Sequence, residues 1–182
     1  MNYYYIPQNA WGLVDAGEER NTGFYSRPGG PCSPVAIWCK ATARAAYTHF
    51  DGYAQAVDTA LADWLADNGA QNGLSVHGYY QPHLDEIKAQ LEVALQGAQV
   101  TTLRDDPNQY WAFMIDTDAG QPVWVNEDDV PDEALVPLPD SWHDYWAGAP
   151  DWRYGPTFTS AISDALTGFI ANYNGRFYFD FG

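Results

Sequence analysis

Apolar residues recur at helical spacing through the middle of the chain and in short runs later. Tyr53, Val57, Ala60, Leu61, Trp64 and Leu65 fall on one stripe, which predicts an amphipathic helix over residues 53–68 that stops near Asn68-Gly69. Pro82 opens a second such pattern, with Leu84, Ile87, Leu91 and Leu95 on its apolar stripe and Gly97 as terminator. Asp85 and Glu86 stand in its first turn, where negative charge complements the helix dipole. Upstream, Ser33-Pro34 reads as a cap followed by a first-turn proline, the entry to a helix through Val35–His49.

Leu74–Tyr80 is strand-like, and Val100–Leu103, Tyr110–Ile115 and Val123–Val125 read as strands, the last two joined as a hairpin across Asp116–Gly120. A short helical turn is expected over Ser141–Trp146 and a helix over Ser160–Ile170. A hairpin turning at Asn174-Gly175 would then pair Phe169–Tyr173 with Arg176–Phe181. Tyr3–Pro31, rich in Gly, Pro and Asn, reads as a short strand followed by loop. These elements predict an α+β fold in which N-terminal helices pack on a small, mainly antiparallel sheet. With no linker or repeat, residues 1–182 are expected to form a single domain, with residues 1–31 as an extended arm.

Composition adds an aromatic emphasis. Eight Trp and thirteen Tyr exceed what a core needs, and both residue types favour protein interfaces because a large apolar body carries a polar tip. The stretch Met1–Ala10 has neither the basic nor the apolar segment of a secretory signal, and no apolar run is long enough to span a membrane. Cys32 and Cys39 fit neither a zinc motif nor a disulfide framework, which suits a reducing cytoplasm.

Charge changes the picture more. The net charge is −16, yet residues 1–50 sum to +1, so the remainder carries −17. From Asp105 to Asp151 there are twelve carboxylates and no Lys or Arg. This excludes direct nucleic-acid binding through that face, because phosphate contact requires Lys and Arg. A basic partner, bound cations, solubility or salt adaptation would account for it.

Three constellations could carry chemistry. Cys32 before a helix start, with His77 on a later strand, resembles the layout of papain-like hydrolases, although Pro31-Cys32-Ser33-Pro34 lacks their motif. Asp116, Asp118 and Glu127 superficially resemble a calcium loop, but Gln121 stands where glycine is required and the flanks read as strands. His49, His77, His83 and His143 have no metal-ligand spacing. No catalytic residue, cofactor or metal is therefore expected.

Met1-Asn-Tyr-Tyr-Tyr, and separately Val130-Pro-Asp-Glu-Ala-Leu followed by Ser141-Trp-His-Asp-Tyr-Trp-Ala-Gly148, resemble pieces of tailed-phage tail-fibre assembly proteins. The resemblance implies a phage origin, and two non-enzymatic roles follow. One is a virion or tail-associated structural or assembly protein, acting through aromatic contacts at Tyr3, Tyr4, Tyr5, Trp11, Trp142, Trp146 and Trp152. The other is an acidic inhibitor that imitates DNA toward a host defence complex, using pairs such as Asp105/Asp106 and Asp128/Asp129. Either way the expected partners are other proteins, virion components or a basic host protein. Neither nucleic acid nor membrane is expected, a homo-oligomer is allowed, and the setting is the virion or the host cytoplasm.

Overall fold

The computed structural model describes residues 1–6, 10–15, 22–26, 32–50, 57, 59–66, 72–105, 112–116, 121–136 and 177–179. They form two sheets and two helices. The strands are β1 (Asn2–Tyr5), β2 (Ala10–Asp15), β3 (Thr22–Tyr25), β4 (Ser33–Cys39), β5 (Arg44–Phe50), β6 (Asn72–Gly78), β7 (Gln99–Arg104), β8 (Ala112–Asp116), β9 (Gln121–Val125), β10 (Leu135–Val136) and β11 (Phe177–Phe179). The helices are α1 (Thr59–Leu65) and α2 (Gln81–Ala94). A five-stranded sheet runs β10-β1-β3-β8-β9 and a six-stranded sheet runs β11-β2-β5-β4-β6-β7.

The expected α+β arrangement, N-terminal helices packed on a small sheet, is overturned. The architecture is mostly sheet, and the segment read as the first helix is the hairpin β4–β5, whose register runs from Ser33↔Phe50 to Cys39↔Arg44. All seven residues of β4 are buried, as are six of the seven in β5. A strand covered on both faces loses its period-two alternation, and its apolar run then cannot be told from a buried helix by pattern. Ser33 caps no helix. Its hydroxyl instead bonds His83 Nδ1 at 2.6 Å, tying the start of β4 to the first turn of α2.

One face of the six-stranded sheet carries Leu13, Val35, Ile37, Ala46, Leu74 and Val76, which form the main core with Leu61 and Leu65 of α1 and Leu84, Ile87 and Leu91 of α2. The opposite face packs against the five-stranded sheet. There Tyr47 of β5 stacks on Phe24 of β3 at 6.1 Å and meets Trp124 of β9 at 6.4 Å. The Tyr47 hydroxyl shares a 2.7 Å hydrogen bond with Ser26, which satisfies a polar tip in an otherwise apolar layer. Helices, six-stranded sheet and five-stranded sheet thus make three layers.

Residues 1–31 are not an arm where they are described. β1 lies inside one sheet, β2 inside the other, and β3 back in the first. The chain crosses between sheets repeatedly, so neither sheet is assembled from a contiguous stretch. The helix predicted from Pro82 is observed as α2, with Gly97 at φ +84° just beyond its end, and the helix predicted over 53–68 is described as the shorter α1. The hairpin across Asp116–Gly120 is the pair β8–β9. The turn at Ser141–Trp146, the helix at Ser160–Ile170 and the strand Phe169–Tyr173 fall outside the described residues, while β11 pairs antiparallel with β2.

Gly12 fixes how closely the sheets approach. A Cβ placed there would stand 2.7 Å from the Ile6 side chain and 2.8 Å from the Phe24 ring. Gly12→Ala is therefore expected to destabilise the protein by about 1–3 kcal/mol through overpacking. Urea unfolding measures the effect; an unchanged midpoint would show that the sheets separate freely.

Candidate functional site

The sequence offered a thiol and imidazole pair, a carboxylate loop and an aromatic set, and the fold distributes them very differently. Cys32 precedes a strand, not a helix, so it does not stand at the start of a helix of its own. His77 on β6 stands opposite Ala36 of β4. Cys32 lies four residues further along that line, about 13 Å at the rise of a strand. The two are not brought together. His77 Nε2 bonds the Ser75 hydroxyl at 2.7 Å, and Cys32 lies by Tyr79, whose hydroxyl donates to the Cys32 carbonyl at 3.3 Å.

The carboxylate loop is a hairpin connection: Asp116 pairs with Gln121 across its neck, so the two flanks run as adjacent strands. Among the described residues no group of three or more His, Cys, Asp or Glu side chains could hold a metal ion.

The aromatic set divides. Trp11 is 1% exposed and Tyr3 5%, so both serve the interior and neither presents a contact surface. The glycine- and proline-rich opening hides strands that pass through the interior, so the sequence places Trp11 among surface anchors although it is buried. Tyr4 and Tyr5 are half-buried, and Tyr5 packs edge-on against Tyr25 at 5.3 Å. Trp142, Trp146 and Trp152 lie outside the described residues, as does Asp106.

Asp105 is half-buried and accepts a 2.6 Å hydrogen bond from the Trp124 indole, joining the end of β7 to β9. Burial pushes its carboxyl above the usual carboxylate range, and the indole bond partly offsets this. Asp128 and Asp129, in contrast, are exposed. They stand on the first of two consecutive 3-10 turns, Glu127–Asp129 and Asp132–Ala134, and Asp132 and Glu133 on the second are also exposed. Asn126 organises the first turn by accepting the Asp129 N–H at its carbonyl and the Asp128 N–H at its side chain. Between the turns Val130 is buried and packs with Tyr3 and Tyr25.

This places the acidic turns on the outer side of the five-stranded sheet. Phe24 faces the other sheet, so its neighbour Tyr25 points outward, toward Val130. Immediately after the turns, β10 pairs in parallel with β1, Tyr3 opposite Leu135 and Tyr4 opposite Val136. An acidic rim fastened by one valine to a tyrosine cluster is the most distinctive exposed feature described. Periodicity could not have revealed it, because it depends on pairing between segments more than a hundred residues apart. The chain matches no protein-family model and no curated protein.

Two predictions follow from the interior groups. Burial lowers the His77 pKa to about 4, so the folded protein keeps this ring neutral. In the unfolded chain it titrates near its ordinary value of about 6.5. Its contribution to stability is complete above that value and is lost as pH falls toward 4, to a total of about 3 kcal/mol. An NMR titration should show the His77 ring titrating well below an exposed histidine. Cys32→Ala should change stability by at most about 1–2 kcal/mol. The alkylation rate of Cys32 should be the same in His77→Ala; a large drop would restore the pair as a working dyad.

Proposed function

We propose that the chain is a non-enzymatic, phage-type structural or assembly protein, associated with the virion or tail, that works through contacts with other proteins. The observation that carries this reading is the pairing of β1 with β10. The two segments that resemble tail-fibre assembly proteins, Met1–Tyr5 and Val130–Leu135, are distant in sequence but adjacent in space, with Val130 seated against Tyr3. In the resembling proteins the aromatic strand and the Pro-Asp segment are close in sequence; here they are far apart in sequence, and their pairing as neighbouring strands supports the reading. The burial of both serine–histidine pairs, Ser33 with His83 and Ser75 with His77, supports a framework role for these histidines.

A second reading, the acidic DNA-mimicking inhibitor, is favoured by the four exposed carboxylates on the 3-10 turns. Carboxylates fixed on a short, ordered backbone can match a basic groove without losing much conformational freedom on binding.

Antibody detection in purified particles from the genome that encodes the chain tests the first reading, with a stoichiometric band expected. In particles assembled with Tyr4→Ala/Tyr5→Ala or Trp142→Ala/Trp146→Ala, the band should weaken or vanish, because aromatic anchors dominate interfaces of this kind. Asp128→Asn/Asp129→Asn should leave it unchanged. Absence from particles, together with tight and salt-sensitive binding to a nucleic-acid-binding complex that Asp128→Asn/Asp129→Asn weakens, would replace the first reading by the second.

A further inference from the structure

Sheet edges invite other chains to pair with them, and folded proteins blunt them with short strands, proline or charge. Among the described residues three of the four edges are blunted: β10 has two residues, β11 three, and β9 carries Pro122. The fourth, β7, has six residues, Gln99-Val-Thr-Thr-Leu-Arg104, with neither proline nor carboxylate. Among the described residues it is paired on one side only, to β6. The Asp105 N–H bonds the Gly78 carbonyl of β6 at 2.8 Å, so by alternation the backbone groups of Thr101 and Leu103 also face β6. Those of Val100, Thr102 and Arg104 face outward.

The side chains along this edge form a self-complementary set. Leu103 is 48% exposed on the face away from the helices. On the helix-covered face, the Gln81 amide bonds both the Thr102 hydroxyl, at 3.4 Å, and the Asp85 carboxylate, at 2.8 Å. That carboxylate is therefore held beside Thr102. Arg104, two places along on the same face, is exposed and anchored through Nε to the Tyr79 carbonyl at 3.0 Å.

We propose that β7 pairs antiparallel with β7 of a second copy of this chain about a twofold axis at Leu103, joining two six-stranded sheets into one. In that register Thr102 of each copy stands opposite Arg104 of the other, and both have outward backbone groups, so they exchange hydrogen bonds. Leu103 meets its own copy at the axis in a non-hydrogen-bonded position, where side chains approach most closely. Each Arg104 guanidinium then lies beside the other copy's Asp85. A twofold contact must complement itself in this manner. Opposing it is the charge of −16 on each copy, a longer-range repulsion that salt screens, so the dimer tightens as ionic strength rises. This inference goes beyond the virion-or-inhibitor question, and its tests make no use of particles or host partners.

Sedimentation equilibrium and oxidative cross-linking decide it. Wild type is expected to dimerise more tightly at physiological than at low salt. Thr102→Pro removes an outward N–H and the long Gln81–Thr102 hydrogen bond but no bond to β6, and should yield a folded monomer by circular dichroism. Arg104→Glu should weaken the dimer about tenfold, and Asp85→Arg with Arg104→Glu should recover it. Mild oxidation should convert Leu103→Cys, but neither wild type nor Val93→Cys, into a disulfide-linked dimer, since Val93 is exposed on α2 away from the axis. A chain monomeric at millimolar concentration would overturn the proposal. So would a dimer indifferent to Thr102→Pro, or an edge that captures a basic extended peptide in preference to its own copy.

Discussion

The structure depends on burying β4 and β5 on both faces. Their helix-side residues, Val35, Ile37 and Ala46, meet the two helices, while Tyr47 on the other face meets Phe24 and Trp124. Removing either covering layer would expose a continuous apolar surface on the central hairpin, and such surfaces aggregate. The sheets must approach closely for this to work, which is why no side chain can stand at position 12. Several polar groups caught in the layers are matched locally, Tyr47 with Ser26, His77 with Ser75 and Ser33 with His83, whereas the buried Thr48 hydroxyl has no hydrogen-bond partner among the described residues. A buried polar group without such a partner would cost as much as a well-packed methyl group gains.

This central burial also explains what the sequence discloses and what it conceals. α2 is legible because it is amphipathic: one stripe faces the sheet and the other water, so period, proline entry and glycine exit agree. The β8–β9 hairpin is legible because its strands flank a short polar turn. Residues 33–50 mislead because burial on both faces erases the polar half of the pattern, and Ser33-Pro34 then imitates a helix entry. Pro34 is tolerated as the second residue of β4, one place before pairing with β6 begins at Val35. The opening strands mislead for another reason. Each is four to six residues long and belongs to a different sheet from the next, so no local hairpin signal exists to reveal them.

The candidate chemistry was half legible for the same reason. Residue types are visible in a sequence, but register decides whether they meet. Cys32 and His77 suggest a dyad by type and order, and the β4–β6 register separates them. Met1–Tyr5 and Val130–Leu135 are unrelated segments by position, and the β1–β10 register joins them. Aromatic abundance, read as surplus for surfaces, goes partly to the interior among the described residues: Phe24 and Tyr47 between the sheets, and Trp11 and Phe50 in the helix-side core, are each at most 1% exposed.

Charge is arranged around this core with a clear polarity. The central hairpin and its flanking strands carry few ionisable groups. Among the described residues, the densest exposed carboxylates sit on the 3-10 turns outside the five-stranded sheet, farthest from the helices. Neighbouring carboxylates on a turn lie within a Debye length of one another, so salt does not remove their repulsion. The turns nevertheless stay ordered because their backbones are fixed by Asn126 and Pro131 and their one apolar residue, Val130, is buried against Tyr3 and Tyr25. Repulsion of this kind raises the energy of the folded protein, and a basic surface brought to the outer side of the five-stranded sheet would relieve it. The β7 edge belongs to the other sheet and presents Leu103 and Arg104, so a like copy can approach there while the acidic turns remain free.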